Sequence, residues 1–265
     1  MNLKFLNNSV AVFVLIIVAL LIVPLGTGVL DFMFILNLAL SLVILLTTMY
    51  IKEPLEFSIF PSLLLITTLL RLGLNVSSTR SILTKGGYAG EVIRTFGEFV
   101  IQGNVLVGLV IFLIIVLVQF IVITKGAERV AEVSARFTLD AMPGKQMAID
   151  ADLSSGLIDE TQARERRMKI QREADFFGSM DGASKFVKGD AIISIVITII
   201  NLIGGILVGF MGGEGDFATI ISTYSTSTVG DGLMSQIPAL LISVATGMIV
   251  TRSASEANLN NEVIR

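Results

Sequence analysis

The sequence contains no cysteine, no histidine and no tryptophan. The absence of cysteine excludes disulfides, thiolate catalysis and thiolate metal sites. The absence of histidine removes the commonest metal ligand and the usual proton carrier near neutral pH. Any proton chemistry must therefore use carboxylates, and the sequence predicts neither a cofactor nor a metal site.

Charge is also scarce. Charged residues make up 15% of the 265 residues, whereas 53% are hydrophobic, and the net charge is −3. Soluble proteins usually carry about a quarter of their residues charged, so this composition predicts an integral membrane protein. It offers no basic face for nucleic acid. Neither a phosphate-binding P-loop nor a nucleophile-elbow motif is present, and we therefore predict that the chain is not an enzyme.

Six apolar stretches predict an all-α membrane protein with about six transmembrane helices. The third is the weakest, because it is short and runs into Arg71. Snorkelling of the Arg71 side chain to the membrane surface and an extension to Leu74 would lengthen it. A full crossing is favoured there over a re-entrant segment. We expect Asp31 to cap the second helix and residues 90–101 to form an amphipathic or interfacial helix. The stretches are Val10–Val23, Phe32–Tyr50, Phe57–Leu70, Val105–Ile123, Ala191–Met211 and Leu233–Val250.

A charged block separates the fourth stretch from the fifth. Residues 125–188 hold 11 of the 19 Lys+Arg and 11 of the 22 Asp+Glu. A bilayer cannot hold so many charges, so we predict a helical, water-facing cytoplasmic loop. Basic residues near the span ends place both termini on the cytoplasmic side of the membrane, together with this loop. Arg80 then lies on the opposite side, against the positive-inside tendency. The predicted units are 1–124, 125–188, 189–252 and a polar tail at 253–265.

Four charges at the start of this block share one helix face. Arg129, Glu132, Arg136 and Asp140 follow one another at steps of three, four and four, on a helix that we expect to end at Pro143-Gly144. One interpretation is a solvated stalk whose charges pair with each other, at a few tenths of a kcal/mol per pair. The other is a face that exchanges partners between neighbouring subunits at a pore mouth.

The segment Asp150–Gly156 has some of the composition of a calcium loop. Its glycine lies one place too late, and Thr161 stands where a bidentate glutamate is needed. A helix-capping turn is therefore the favoured interpretation.

Two carboxylates at predicted span ends are the best candidates for proton exchange. Asp190 directly precedes the fifth stretch, where a helix N-cap would also suit it. Asp231 lies between two glycines before the last stretch, where it could equally be a turn residue. An acidic group at bilayer level is costly and therefore a functional candidate. Arg80 and Lys185 are the candidate counter-charges.

Four long motifs carry a resemblance: RLGLNVSSTRSIL (71–83), ITKGAERVAEVSARFTLDAMPGKQMAIDADL (123–153), EADFFGSMDGASKFVKGDAI (173–192) and VGDGLMSQIPALLISVATGMIVTR (229–252). They resemble the FHIPEP family of type III secretion export-gate proteins, most closely its flagellar branch. The family continues with further spans and a large soluble domain that docks substrates. The resemblance therefore covers only the transmembrane portion, and it assigns no substrate docking to these residues.

The resemblance implies a component of the flagellar protein export gate, a multi-pass protein of the bacterial inner membrane at the flagellar basal body. It implies a nonameric ring, other gate subunits in the bilayer, a cytosolic export ATPase complex, and unfolded flagellar proteins exported with the proton-motive force. The family's important charges match Arg80, Arg129, Arg136, Asp140, Lys185, Asp190 and Asp231.

Two other classes stay open at the level of sequence. A small-solute secondary transporter or ion channel would show internal repeats and several polar residues within its spans. No repeat stands out, and Gln119 and Asn201 are the chief polar residues expected at mid-span. A passive membrane scaffold would use every charge structurally.

Overall fold

A computed structural model describes residues 15–19, 21–213 and 215–252 of the chain. The molecule is 87% helical, and the described residues contain no strand, so the predicted all-α membrane fold is confirmed. Residues 10–14 and 20 of the predicted first span, Val10–Val23, lie outside the described residues; within the span, residues 15–19 are helical.

Eight α-helices follow in chain order within the described part of the chain from Thr27 onward. A π-helical turn, Val122–Ala127, joins α4 to α5, and another, Ile200–Gly204, joins α6 to α7. The helices are α1 Thr27–Tyr50, α2 Phe60–Thr84, α3 Glu91–Ile101, α4 Val105–Ile121, α5 Glu128–Ser154, α6 Glu160–Ile199, α7 Gly205–Gly212 and α8 Phe217–Val250.

Five helical segments of the described chain are long and apolar enough to cross a membrane. Two of them are continuous through the π-helical turns, Val105–Ser154 with 50 residues and Glu160–Gly212 with 53. At 1.5 Å per residue each is about 75 Å long, far more than a bilayer needs. The parts of these two helices that exceed the bilayer thickness contain the charged block. They lie antiparallel to each other and form a helical stalk of α5 and α6.

One predicted helix end in the stalk is wrong. We expected the helix after the fourth span to stop at Pro143-Gly144, but α5 continues through Pro143 to Ser154. Its far end is held by packing: Ile149 on α5 contacts Ile158 and Ala163 around the turn into α6. Ion pairs along the stalk, including Lys145 Nζ to Glu173 Oε2 at 2.8 Å, tie the two helices together. Tertiary contacts thus outweigh the proline's helix-breaking tendency.

The third predicted span is longer than its apolar stretch. In place of Phe57–Leu70, α2 runs for 25 residues to Thr84, enough to cross a bilayer. Its second half is polar and yet largely buried, because it faces the other helices. Hydropathy alone places the end of this span at Arg71, whereas the helix continues past Arg71.

The last helix, α8, lies at the centre of the bundle. It packs against α1, α3, α4 and α6, and two-thirds of its most apolar window is buried. Close contact with α3 depends on glycine: a Cβ on Gly230 would lie 1.9 Å from the Ile93 carbonyl oxygen, and one on Gly97 would lie 2.1 Å from the Thr226 carbonyl oxygen. The predicted amphipathic helix at 90–101 is thus confirmed, as α3.

Asp31 caps a different helix from the one expected. It lies inside α1, which begins at Thr27, and its carboxylate accepts hydrogen bonds from the backbone N–H groups of Glu91 (3.0 Å) and Val92 (2.9 Å) at the start of α3. Gly90, at φ +127°, leaves room for it, since a Cβ there would overlap the carboxylate.

We expect Asp31→Ala to lower the free energy of unfolding by about 0.5–2 kcal/mol, because two N–H groups of α3 lose their acceptor. Detergent-titrated unfolding followed by circular dichroism measures this. Asp31→Asn, which keeps one acceptor oxygen, serves as the control and should lose less. An Asp31→Ala protein as stable as the Asn variant would contradict the capping role.

Candidate functional site: a buried polar cluster between three helices

Both candidate aspartates lie inside helices. Asp190 lies inside α6, well before its end at Ile199, and Asp231 is near the middle of α8. The alternative interpretations, an N-cap for Asp190 and a turn for Asp231, are therefore wrong, because each helix continues unbroken past these positions. Each residue is only 2% exposed. A carboxylate so placed needs partners within the protein.

Asp190 has a buried cation as its partner. The Arg71 guanidinium on α2 donates from Nε to Asp190 Oδ2 at 2.7 Å, and Arg71 Nη2 contacts the same oxygen. The two side chains are 4% and 1% exposed. The expectation that Arg71 snorkels to the membrane surface is wrong, because α2 continues past it and Asp190 provides a charge-assisted bond within the bundle.

Asp231 is held by neutral donors. Ser78 on α2 donates its hydroxyl to Oδ1, and Asn201 donates from Nδ2 to Oδ2 at 2.9 Å. Asn201 belongs to the second π-helical turn. Such turns are often found at functional sites because they change the direction of a side chain. Within the described part of the chain, no Lys or Arg forms an ion pair with Asp231.

Asn75 links α2 to both α6 and α8. It donates from Nδ2 to Ser194 Oγ at 3.4 Å, and its Oδ1 accepts from Ser235, which also donates to the Asp231 carbonyl oxygen at 2.9 Å. Ser78 in turn donates to the Asn75 carbonyl oxygen. These hydrogen bonds join Asn75, Ser78, Ser194, Asn201, Asp231 and Ser235 into one network. The Arg71–Asp190 ion pair lies beside it, since Asp190 lines the same cavity as Ser194 and Ser235. Network and ion pair together are the buried polar cluster, composed of Arg71, Asn75, Ser78, Asp190, Ser194, Asn201, Asp231 and Ser235.

The candidate counter-charges lie elsewhere. Arg80 donates from Nη1 to the Ile22 carbonyl oxygen at 2.7 Å. Lys185 pairs with Asp181 at 2.7 Å, one helical turn away, and this hydrogen bond raises the pKa of the lysine. The structure therefore brings neither residue to Asp190 or Asp231, and Arg71 occupies the place that we expected one of them to fill.

The charge ladder on α5 pairs within itself. Glu132 binds Arg129 at 2.8 Å and Arg136 at 3.3 Å, and both arginines are about two-thirds exposed. Asp140 is exposed on the same helix. Such solvated pairs contribute only tenths of a kcal/mol. Within a single copy of the chain, these charges pair with each other, as expected of a self-paired stalk. Pairing between neighbouring subunits stays a prediction.

The calcium-like segment pairs with arginines. Asp152 contacts Arg166 at 3.0 Å, and Asp150 contacts Arg167, both across the stalk on α6. The expected cap lies just beyond: Asp159 and Gln162 form a capping box at the start of α6. No group of metal-ligating side chains is found among the described residues.

Sequence reasoning missed much of the polar cluster. Arg71, Asn75 and Ser78 recur at four and three residues along α2, Asp190 and Ser194 are four apart, and so are Asp231 and Ser235. This is the spacing of one helix face. Polar residues at helical spacing within a stretch of spanning length are the signal that could have found them. The signal falls outside the predicted third span, because the apolar stretch ends before Asn75.

The FHIPEP family model matches residues 17–265 of the chain. The sequence is 60% identical to the flagellar biosynthesis protein FlhA of Bacillus subtilis (strain 168) over 255 residues, which is 96% of this chain and 38% of that protein. It is 56% identical to FlhA of Helicobacter pylori (strain J99) over 250 residues, 92% of this chain and 34% of that protein.

FlhA of Salmonella typhimurium (strain LT2) is 50% identical over 257 residues, 96% of this chain and 37% of that protein. No solved structure matches. The chain thus spans between a third and two-fifths of the length of these relatives. A family match over almost the whole sequence, with identities of this level, shows that the chain belongs to the FHIPEP family.

Proposed function

We propose that the chain works as the membrane part of a bacterial flagellar protein-export gate, in which Asp190 and Asp231 couple proton movement to a change in helix packing. The observation that carries the proposal is the buried polar cluster, which places two carboxylates among three packed helices, Asp190 in an ion pair with Arg71 and Asp231 in a network of neutral hydrogen-bond donors. The names of the relatives supply the process, flagellar biosynthesis.

The Arg71–Asp190 pair supplies a two-state element. While Asp190 is ionised, it neutralises the buried Arg71. A proton on Asp190 removes that compensation and leaves a cation that is 3% exposed without its counter-charge. An uncompensated buried charge costs several kcal/mol, so α2 and α6 must then repack or admit water. Proton binding is thereby converted into helix movement.

Movement at Asp190 has a direct route into the stalk. Two residues before it on α6, Lys188 Nζ binds Glu128 Oε2 at 3.0 Å. Glu128 is the first residue of α5, directly after the first π-helical turn, and the Arg129–Asp140 ladder follows. A shift of α6 therefore acts on the base of the charge ladder, where neighbouring subunits of a ring would exchange ion pairs.

The wider setting of the proposal follows the family. The chain would lie in the bacterial inner membrane at the flagellar basal body, in a nonameric ring with other gate subunits. A cytosolic ATPase complex would deliver unfolded flagellar proteins to it. The stalk and the Lys52–Glu53 turn lie on one side of the bundle, since Lys169 on α6 binds Glu53 at 2.9 Å, and this side would face the cytoplasm.

The test uses Asp190→Asn and Asp231→Asn in the full-length protein of the host bacterium. Each replacement keeps the size of the side chain and removes its titratable proton, so we expect loss of secreted flagellar subunits and of swimming, with normal insertion in the membrane fraction. Asp175→Asn, on the exposed face of α6, is the matched control and should export normally. Normal export by Asp190→Asn would remove Asp190 from the mechanism.

The buried polar cluster also favours a second candidate, a small-solute transporter or ion channel. The described spans hold more buried polar residues than the sequence predicted, since Asn75, Ser78 and Ser235 join Asn201 and Gln119. Saturable flux of a small solute in proteoliposomes would support this class. If instead Asp190→Asn and Asp231→Asn together left export unchanged, the chain would be a passive scaffold.

A further inference from the structure

Among the described residues, only one of the two Asp190 carboxylate oxygens accepts hydrogen bonds from the protein. Both Arg71 nitrogens reach Oδ2. Oδ1 is fully buried and, among the described residues, accepts no hydrogen bond. A buried carboxylate oxygen without a hydrogen-bond donor costs more free energy than a buried neutral acceptor without one. In a native protein such an oxygen is therefore expected to have a partner.

Two more unsatisfied acceptors lie around the same space. The side-chain oxygens of Gln119 on α4 and Gln236 on α8 are buried and have no hydrogen-bond donor in the described part of the protein. Both residues line, together with Asp190, Ser194 and Ser235, a cavity of about 20 Å³ between α4, α6 and α8. Three residues that carry an unsatisfied acceptor, one from each of three helices, therefore line the same small cavity.

We propose that this cavity binds a single water molecule, which donates its two hydrogens to Asp190 Oδ1 and to a glutamine oxygen. The size fits, because a buried water needs a space of roughly 10–15 Å³ or more and two to four polar partners. The chemistry fits as well, since water supplies one donor to Asp190 Oδ1 and one to the oxygen of one glutamine, and the other glutamine can turn its amide nitrogen toward the water oxygen.

The charge balance of the site favours water over a metal cation. Arg71 already neutralises Asp190, so a bound cation would leave the buried site with a net positive charge. The walls between the polar groups are apolar, formed by Val116, Ile123 and Ala239. They offer a cation no further oxygen ligands to complete a coordination shell of six or more.

The water would also define how a proton reaches Asp190. Oδ2 is occupied by two N–H donors, so Oδ1 is the oxygen that can accept a proton, and the bound water is its neighbour. This relay role rests on the proposed function. The water site itself does not, because it follows from unsatisfied acceptors and space alone.

Radiolytic hydroxyl labelling of the full-length protein in lipid nanodiscs tests the site. Radicals formed from a bound water oxidise adjacent side chains that bulk water cannot reach. We expect labelling of Ile123, which is 5% exposed and lines the cavity, and none of Ile44, an equally buried isoleucine at 4% that does not line it. After mixing with ¹⁸O-water, the heavy isotope should appear in the oxidation product of Ile123 more slowly than in the oxidation product of Phe137, which is exposed to bulk water. Equal labelling of Ile123 and Ile44 would overturn the proposal.

Variants sharpen the test. Gln119→Leu combined with Gln236→Leu removes two of the acceptors, and we expect the Ile123 label to be lost. Gln171→Leu, on the exposed face of α6, should keep it. Labelling of Ile123 that persists in the double variant overturns the proposal. Labelling of Ile123 that disappears when sodium chloride replaces choline chloride also overturns it, because a cation then occupies the cavity. If the double variant does not fold, the comparison of Ile123 with Ile44 in the unmodified protein still decides.

None of these measurements uses export, so the water site and the proposed function fail separately. Labelling without any export defect in Asp190→Asn leaves a structural water that carries no proton. An export defect without labelling leaves a proton-coupled aspartate that has no water beside it.

Discussion

Arg71→Met is expected to lower the free energy of unfolding by about 3–5 kcal/mol, because it leaves Asp190 as a buried, uncompensated charge. Methionine nearly fills the volume of the arginine side chain, so the loss reflects charge more than a cavity. Both partners are almost fully buried, at 4% and 1% exposure, and solvent therefore screens the pair little. Titration with a denaturing detergent, followed by circular dichroism, measures the change.

Two further variants separate charge from packing. Arg71→Met combined with Asp190→Leu removes both charges, and most of the lost stability should return, because a buried ion pair is often replaceable by apolar residues. Arg129→Met, which breaks an exposed ion pair on α5, should change stability by only tenths of a kcal/mol. If the double variant is as unstable as Arg71→Met, the pair does not act as a unit.

The double variant also distinguishes the working models. A gate that depends on protonating Asp190 should fail in it although the protein is stable. A scaffold should work again once stability is restored. Stability and export measured on the same two variants therefore say whether the ion pair is retained for the fold or for the mechanism.

Gly230→Ala is the second replacement for which we expect a large effect. A Cβ at this position would lie 1.9 Å from the carbonyl oxygen of Ile93 and 3.1 Å from the backbone nitrogen of Gly97. Both are backbone atoms of α3, so no side chain can turn away, and the whole helix must move. Overpacking of this kind typically costs about 1–3 kcal/mol and sometimes more. Detergent-titrated unfolding measures it.

The same helix provides a matched control. Gly247 is also inside α8, but a Cβ there meets nothing within 4 Å. Gly247→Ala should therefore stabilise the helix by about 0.5–1 kcal/mol, because alanine has less backbone freedom to lose. Equal effects at the two positions would contradict the close packing of α3 on α8. A defect at Gly230 should also disturb Asp231, its neighbour in the buried polar cluster.

The helical class of the protein and most of its helices were predictable from local sequence. Apolar runs of spanning length, the Asp159–Gln162 capping box and the amphipathic residues of α3 each act within a few residues of chain. Helix ends were predicted less well. Pro143 and Arg71 are typical places for a helix or a span to stop, yet both are passed, because neighbouring helices stabilise the chain beyond them.

The sequence by itself determined that this is a membrane protein with a charged stalk, and that carboxylates must do any proton chemistry, because composition and hydropathy act locally. It also marked Asp190 and Asp231 as candidates. Only the tertiary structure decided their partners: Arg71 is 119 residues from Asp190, and Ser78 is 153 from Asp231. Pairing across that distance depends on how helices dock, and a buried charge takes whichever partner the docked bundle places beside it.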